Sequence, residues 1–184
     1  MKFVLAMTGA SGSIYMQRLL LRLDAQEHEV HLVLSVHAKQ VAASELPDHK
    51  LQVPEGVHVH DDRSMYVPFT SGSTHFDAMA IVPCSMGTLA RVAAGTSDNN
   101  ILRAADVFLK ERRKLILVPR ETPWNLIQAR NVVTVIEAGA LVMPAVPSFY
   151  HRPDSVEAVA DTVVFRLLDH LGVPASEAPR WQED

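Results

Sequence analysis

Two short segments of small and hydroxyl-bearing residues could bind a phosphate group. The first, TGASGS at 8–13, separates a strand-like apolar run from an amphipathic stretch. Small residues let the backbone approach a ligand, and the free amides at a helix start favour an anion. The second, PCSMGT at 83–88, repeats this arrangement after a later strand, with Ser85 and Thr88 as hydroxyl donors. A plain tight turn is the alternative for the first segment, whereas the second predicts a further phosphate or ring contact.

Charged side chains that could bind a second anion follow in the same part of the chain. Arg103, Asp106 and Lys110 are spaced by three and four residues, which places them on one face of a helix. Arg120 and Glu121 follow a predicted strand; arginine binds phosphate through two nitrogens, and glutamate can exchange a proton beside it. The alternatives are a solvated helix face for the first group and a local ion pair for the second.

Neither covalent catalysis nor a metal centre is predicted from the cysteine and histidine positions. Cys84, the only cysteine, ends an apolar strand with no histidine near it in sequence, so we interpret it as a buried, inert thiol. The His58-x-His60 spacing is one that metal sites use, but no histidine or acidic partner recurs at helical or turn spacing. We therefore interpret these two residues as solvent-exposed loop histidines.

Composition indicates one soluble domain spanning residues 1–184, with a polar C-terminal tail at about 172–184 that extends from the body. Of the 184 residues, 48% are hydrophobic and 21% are charged, which suits a globular protein. The net charge of -4 argues against nucleic acid as the main partner. The N-terminus lacks a signal-peptide layout, and we find no apolar run of membrane-spanning length. With a single cysteine, these features predict a cytoplasmic protein.

The elements that must position these residues alternate along the chain. Short apolar runs predict strands at 3–7, 30–35, 57–60, 78–82, 115–118 and 141–143. Amphipathic stretches predict helices at 13–23, to about 45, 86–94, 98–113, from 122 to about 138, and 155–171. The expected helix starts include Asp98, the pair Thr122 and Pro123, and either Asp154 or Ser155. This alternation predicts an α/β fold whose parallel sheet is covered on both faces and binds ligands at the carboxyl ends of its strands.

The chain resembles the flavin prenyltransferases (UbiX-like). Seven segments in order carry the resemblance: TGASGS at 8–13, SGS at 71–73, PCSMGT at 83–88, RAADVFLKERR at 103–113, RETP at 120–123, FYHRP at 149–153 and RW at 180–181. It implies a three-layer, Rossmann-like or flavodoxin-like fold over nearly the whole chain. Ala129, Arg130 and Met16 depart from the family pattern, and the variable loop at 61–70 is expected to bring Met65, Tyr66 and Phe69 near a prenyl pocket.

The resemblance also implies site residues. FMN would be held by Gly9, Ala10, Ser11, Ser35, Ser85, Met86, Gly87, Thr88 and Arg120. The second substrate, dimethylallyl monophosphate, would be bound by Glu45, Arg103, Lys110, Arg120, Tyr150 and Arg166, with contributions from more than one subunit. The residues implied in catalysis are Glu121, Lys110, Ser11, Tyr150 and Trp181. Among these, Lys110 would stabilise the leaving phosphate, Glu121 would handle protons, and the rings of Tyr150 and Trp181 would face an allyl cation.

The implied reaction attaches the dimethylallyl group to N5 and C6 of reduced FMN, and the product would serve UbiD-like decarboxylases. No metal is required, and a homododecamer with sites at subunit contacts is expected. Two alternatives stay open: an FMN-dependent cysteine decarboxylase of related fold, for which His37 follows the second strand, and a non-catalytic FMN carrier. A carrier would have no use for a second anion site.

Overall fold

The computed structural model describes residues 1–180, in which six strands alternate with helices. The strands are β1 (Lys2–Met7), β2 (Glu29–Leu34), β3 (His58–Asp61), β4 (Ala78–Cys84), β5 (Lys114–Pro119) and β6 (Leu141–Val142). The helices are α1 (Ser13–Arg22), α2 (Val36–Glu45), α3 (Met86–Ala93), α4 (Asn100–Lys110), α5 (Leu126–Glu137) and α6 (Val156–Leu171). All strand pairs are parallel, in the order β3-β2-β1-β4-β5-β6, which confirms the predicted fold class.

Two apolar layers flank the sheet because successive strand residues point to opposite faces. On β1, Phe3 and Leu5 join a cluster with residues of α1, α2 and α6, whereas Val4 and Ala6 join one with residues of α3, α4 and α5. Phe108 of α4, fully buried, lies in the second cluster. Burying each large apolar side chain stabilises the fold by about 1.5–3 kcal/mol. Within residues 1–180, no helix is both long and apolar enough to cross a membrane.

Two predicted helix starts were wrong. Helix α4 is capped by Asn99 and not by Asp98: the Asn99 side chain accepts a hydrogen bond from Leu102 N at 2.9 Å. Helix α5 begins after Asn125 and not at Pro123, because Asn125 and Gln128 cap each other reciprocally. Ser155 caps α6, one of the two residues expected there.

Two further interpretations need correction. His58 and His60 lie on strand β3 and not in a loop, with His60 half-buried. The chain from 172 to 180 packs back onto α6 instead of extending from the body. Arg180 donates two hydrogen bonds to the Asp169 carboxylate, at 2.6 and 2.8 Å, and Val173 is buried.

Candidate functional site

A buried threonine ties together the carboxyl ends of β1 and β4. Thr8 Oγ1 donates to the carbonyl oxygen of Pro83 at 3.1 Å and accepts a hydrogen bond from Ser85 N at 2.8 Å. Ser85 Oγ accepts from Thr88 N at 3.2 Å and so caps helix α3. The chain connections leave β1 and β4 in opposite directions along the sheet, and a crevice opens at such a point in open α/β sheets.

A cleft of about 430 Å³ occupies this crevice. Helices α2, α3 and α4 all begin on it, since their capping residues Ser35, Ser85 and Asn99 line its wall. The positive ends of these helices favour an anion, while the guanidinium groups of Arg63 and Arg91 are offset by the carboxylates of Asp62 and Asp98 in the same lining. The volume lies within the range of about 300–1,000 Å³ that is usual for ligand pockets. This donor set fits a ring system that carries a phosphate.

The start of helix α1 is closed by a carboxylate from the same chain. Glu45 Oε2 accepts hydrogen bonds from Gly12 N at 2.9 Å and from Ser13 N at 2.8 Å. Burial raises the pKa of Glu45, but hydrogen bonds from Ser11, Ser13 and Gly12 outweigh it and hold that pKa below its usual range. The ionised carboxylate therefore fills an anion position that the TGASGS segment presents.

Gly9 is required by packing, whatever ligand binds. A Cβ atom at this position would lie 2.5 Å from the Cβ of His37, so only glycine lets the β1–α1 loop approach helix α2 this closely. His37 lines the cleft, and its Nδ1 lies 3.2 Å from Gln40 Oε1. It is the histidine considered above for cysteine decarboxylation.

A second depression, of about 490 Å³, lies at the carboxyl ends of β5 and β6. Arg120 and Glu121 line it, both exposed, together with Trp124 and residues 144–147. The Glu121 carboxylate accepts a hydrogen bond from Thr122 N at 2.9 Å, and Trp124 Nε1 donates to the Glu121 carbonyl at 3.0 Å. Burial raises the pKa of Tyr15 on α1, and the charge of Arg120 partly offsets this. Arg120 is therefore close enough to α1 for its charge to act on Tyr15.

A third depression, of about 250 Å³, brings Tyr150 and Arg166 together. It shares Pro144 and Val146 with the second depression, so the two are neighbours. Arg166 Nη1 donates to the Asp169 carboxylate at 3.1 Å, and both Arg166 and Tyr150 are exposed. The two neighbouring depressions thus present two arginines, a glutamate and a tyrosine.

Comparison with known proteins agrees with this arrangement. The Flavoprotein family model matches residues 1–165. The flavin prenyltransferase UbiX of Pseudomonas aeruginosa is 43% identical, over 99% of this chain and 94% of the relative. The chain belongs to the UbiX-like flavin prenyltransferase family. Two solved family structures superpose closely, each with a TM-score of 0.91.

The first of these UbiX-like structures is AnUbiX in complex with FMN and dimethylallyl pyrophosphate. It is 40% identical, covering 99% of this chain and 97% of its own. The second is a dodecameric FMN-dependent UbiX-like decarboxylase from Escherichia coli, 37% identical and covering all of both chains. The resemblance drawn from the seven segments is confirmed.

Two residues that the UbiX-like pattern assigns to the substrate site lie elsewhere within one chain. Helix α4 runs from the cleft, at the carboxyl ends of the strands, to the side of the sheet where the strands begin, and Lys110 ends it just before β5 begins. There Lys110 Nζ pairs with the Glu111 carboxylate. Arg103, farther up the helix, donates to the Thr70 carbonyl at 3.2 Å and to Asp106 at 2.6 Å. A single chain therefore does not bring Lys110 to Arg120 and Glu121.

The remaining residues that the sequence analysis singled out differ in how far they are buried. Met86 packs its side chain in the core, whereas Gly87 is exposed, and a Cβ added to it would meet nothing within 4 Å. Cys84 is fully buried as predicted, and burial raises the pKa of its thiol to about 12. Phe69, expected near a prenyl pocket, is instead 1% exposed in the core. Trp181 lies outside the described residues.

Several cleft residues were missed by the sequence reasoning. Asp62 and Arg63 follow β3 directly, and the rule that ligands lie at the carboxyl ends of strands could have found them. Asn99 and Arg91 belong to α4 and α3, and only the packing of these helices brings them to the cleft. Among residues 1–180, no group of three or more histidine, cysteine or acidic side chains could hold a metal ion.

Proposed function

We propose that this chain is a flavin prenyltransferase that transfers the dimethylallyl group of dimethylallyl monophosphate to N5 and C6 of reduced FMN. The prenylated FMN would serve UbiD-like decarboxylases. The observation that carries the proposal is the 43% identity to a flavin prenyltransferase over 99% of the chain. The geometry supports it, because the chain has a cleft suited to a phosphate-bearing ring system and a second depression, lined by Arg120 and Glu121, at the carboxyl ends of neighbouring strands.

In this proposal the cleft residues bind FMN, which supplies the N5 and C6 atoms that become alkylated. Ser35, Ser85 and Thr88 offer hydroxyl groups at two helix starts. The resemblance assigns the backbone at Gly9, Ala10, Met86 and Gly87 to the same ligand, and these residues are close in the chain to the cleft residues Thr8, Ser85 and Thr88. Ser11 remains assigned to both FMN and catalysis through the resemblance, and its hydrogen bond to Glu45 ties it to the start of α1.

The residues of the second and third depressions act on the allylic phosphate. As the allylic C–O bond breaks, negative charge grows on the leaving phosphate, and the guanidinium groups of Arg120 and Arg166 stabilise it. The Tyr150 ring, in the same depression as Arg166, offers its face to the allyl cation. The Glu121 carboxylate, fixed through its hydrogen bond from Thr122 N, accepts and returns a proton as the second bond forms.

We further propose that the chain is a single flavoprotein domain that works in the cytoplasm as a homododecamer. Helix α5 supports assembly, because Leu126, Ile127, Val133 and Ile136 are 51–70% exposed while Val135 is its buried residue. An exposed apolar face of this kind marks a protein contact. The position of Lys110, on the side of the sheet where β5 begins, also supports assembly, since only another subunit could bring this lysine to Arg120.

The test is an anaerobic incubation of purified protein with reduced FMN and either dimethylallyl monophosphate or dimethylallyl pyrophosphate. Mass spectrometry of the extracted flavin should show a gain of one isoprene unit, and its absorption spectrum should change on ring closure. Glu121→Gln should keep FMN bound and lose about 100- to 10,000-fold in turnover, the usual contribution of a proton-transfer group. An unmodified flavin with both donors would overturn the proposal, and a fully active Glu121→Gln would remove the role of Glu121.

A further inference from the structure

Three histidines that are distant in sequence lie together on one face of the β2–β3 pair. His31 is paired in register with His58, and Val33 with His60, so the three imidazoles project from the same side. The ring of His31 lies 5.0 Å from each of the other two, nearly parallel to that of His60. His31 is 6% exposed, His60 is half-buried and His58 is exposed.

A hydrogen-bonded relay runs through two of these rings to a carboxylate. His31 Nδ1 lies 2.8 Å from His60 Nε2, and His31 Nε2 lies 3.1 Å from Glu29 Oε1. When both rings are neutral, His31 donates to Glu29 and accepts from His60. One added proton is tolerated, because His31 then donates from both nitrogens and His60 accepts. A second proton places hydrogens on both facing nitrogens, and the contact between the two rings is lost.

The relay lies beneath the segment formed by residues 62–76, which also contributes to the flavin cleft. Phe69 and Phe76, both 1% exposed, pack edge-on against His31, and Phe69 also packs against His60. Asp62 and Arg63, at the start of the segment, line the cleft. Movement of the segment would therefore change one wall of the cleft.

Apart from the exposed His75, which pairs with Asp77 at 3.5 Å, the other contacts of the 62–76 segment do not titrate near neutral pH. Asn100 Nδ2 donates to the carbonyl of Ser64 at 2.9 Å, and Asn100 N donates to the carbonyl of Asp62 at 3.0 Å. Arg113 donates to the carbonyls of Thr74 and Gly72, both at 2.7 Å. Arginine and the amide stay in one protonation state across this range. His31 and His60 are thus the contacts beneath the segment that respond to pH.

We propose that His31 and His60 are positioning residues that hold the 62–76 segment against the sheet when at least one of them is neutral and release it when both are protonated. The consequence for the cleft rests on the proposed function, because it assumes that FMN binds there. Release would displace Asp62 and Arg63 and weaken FMN binding. The pair acts on FMN through the segment, without contact to the reacting atoms.

Burial, together with the charges around the pair, sets the direction of this response to pH. Burial lowers the pKa of His31, Glu29 partly opposes this, and His58 and Lys2 add to the lowering. Burial likewise lowers the pKa of His60, with His31 and His58 acting in the same sense. Because the folded state favours the neutral rings, their stabilisation is present above the ordinary histidine value of about 6.5 and is lost as the pH falls below it.

We call the hold of His31 and His60 on the 62–76 segment the latch. Two measurements on the protein without FMN test it. A titration of the histidine ring nitrogens by nuclear magnetic resonance, from about pH 8 to about pH 5, should show His31 and His60 titrating as a coupled pair below about 6.5. Hydrogen exchange of the 62–76 amides, corrected for the intrinsic pH dependence, should accelerate in the second step. Independent titration of the two rings at ordinary values, or exchange that ignores this step, would overturn the proposal.

Matched variants separate the latch from general acid destabilisation. His60→Gln keeps a hydrogen-bonding group that does not titrate, so the acid step in exchange should disappear. His58→Gln removes the exposed neighbour and should keep the step. An acid step that persists in His60→Gln contradicts the proposal. If this variant does not fold, the titration of the unmodified protein decides the question alone.

The same variants test the consequence for FMN. The ratio of FMN dissociation constants at about pH 5 and about pH 8 should be about fivefold larger for the unmodified protein than for His60→Gln, the lower end of usual couplings between sites. The FMN phosphate titrates equally in both proteins, so its contribution cancels. Equal ratios would overturn the coupling to the cleft. Absence of FMN binding at either pH would contradict the proposed function, while titration and exchange would still decide the latch.

Discussion

Replacing Thr8 by valine tests whether its buried hydroxyl holds the two halves of the sheet in register at the cleft. Valine keeps the shape and volume of threonine, so the core loses no packing. Pro83 O retains its hydrogen bond from Thr8 N at 3.2 Å, but Ser85 N loses its acceptor at 2.8 Å. An unsatisfied buried donor costs about 1–3 kcal/mol. Because Ser85 is half-buried and water can reach the cleft, we expect a loss of about 1–2 kcal/mol.

Urea unfolding at one protein concentration measures this loss, since the unfolding of an oligomer depends on concentration. Thr96→Val is the control: Thr96 is exposed, and its hydroxyl donates to the Arg91 carbonyl at 3.0 Å, so the change should stay within about 0.5 kcal/mol. Thr8→Val should also bind FMN more weakly, because Ser85 caps α3 on the cleft wall. Equal stability and equal FMN affinity in the two variants would refute the reasoning.

Two other predictions concern groups whose pKa values are displaced. Glu45→Gln should destabilise the protein by about 0.5–2 kcal/mol at neutral pH, because it removes a carboxylate from the start of α1. Folding lowers the pKa of Glu45, so its contribution to the free energy of unfolding is present above the ordinary value of about 4.3 and is lost as the pH falls through the folded value. Urea unfolding should therefore show that the stabilities of the two proteins become equal in acid. Convergence at high pH instead would contradict this. Cys84 should resist thiol reagents in the native protein and react at once in urea, since its thiol is fully buried with a pKa of about 12; rapid native labelling would show that β4 opens locally.

The alternation of apolar runs and amphipathic stretches in the sequence predicted most of the architecture. Buried parallel strands appear in the sequence as short apolar runs. Each of the six strands was predicted within a few residues of its observed position. The same pattern located the cleft, because the strand ends and the small-residue segments coincide. Ser85 and Thr88, which line the cleft, could therefore be selected from the sequence pattern, whereas Ser35 was implied only by the family resemblance.

Helix starts were less predictable because neighbouring residues can each serve as a cap. Asp98, Asn99 and Asn100 are all suitable residues. The choice of Asn99 follows from a tertiary contact: Asn100, fully buried in the first turn, donates to the carbonyls of Asp61 and Ser64. That contact joins residues 36 to 39 positions apart, so it could not be predicted from the local sequence. The cap at Asn125 differs, because the asparagine and a glutamine three residues later form a recognisable motif that was passed over for Thr122 and Pro123.

The histidine relay shows why some clusters cannot be found by spacing within one segment. His31 and His60 are 29 residues apart and meet only because β2 and β3 pair in parallel with one particular register. Helical or turn spacing does not apply to such a pair. Its buried surroundings come from Phe69, which the resemblance had placed in a variable loop near the prenyl pocket. A register assignment for the edge strand would have been needed to predict the contact.

The direction of α4 links the proposed assembly to the proposed chemistry. The helix starts on the cleft at Asn99, at the carboxyl ends of the strands, and ends at Lys110, on the side where β5 begins, so one helix cannot serve the same site with both ends. Lys110 can meet an allylic phosphate at Arg120 only when a neighbouring subunit presents it. The apolar side chains exposed along α5, close to Arg120 and Glu121 in the chain, provide a surface on which such a neighbour can pack. In the proposed arrangement the oligomer would be part of the active site, because the chain that binds FMN and the chain that supplies the lysine would be different molecules.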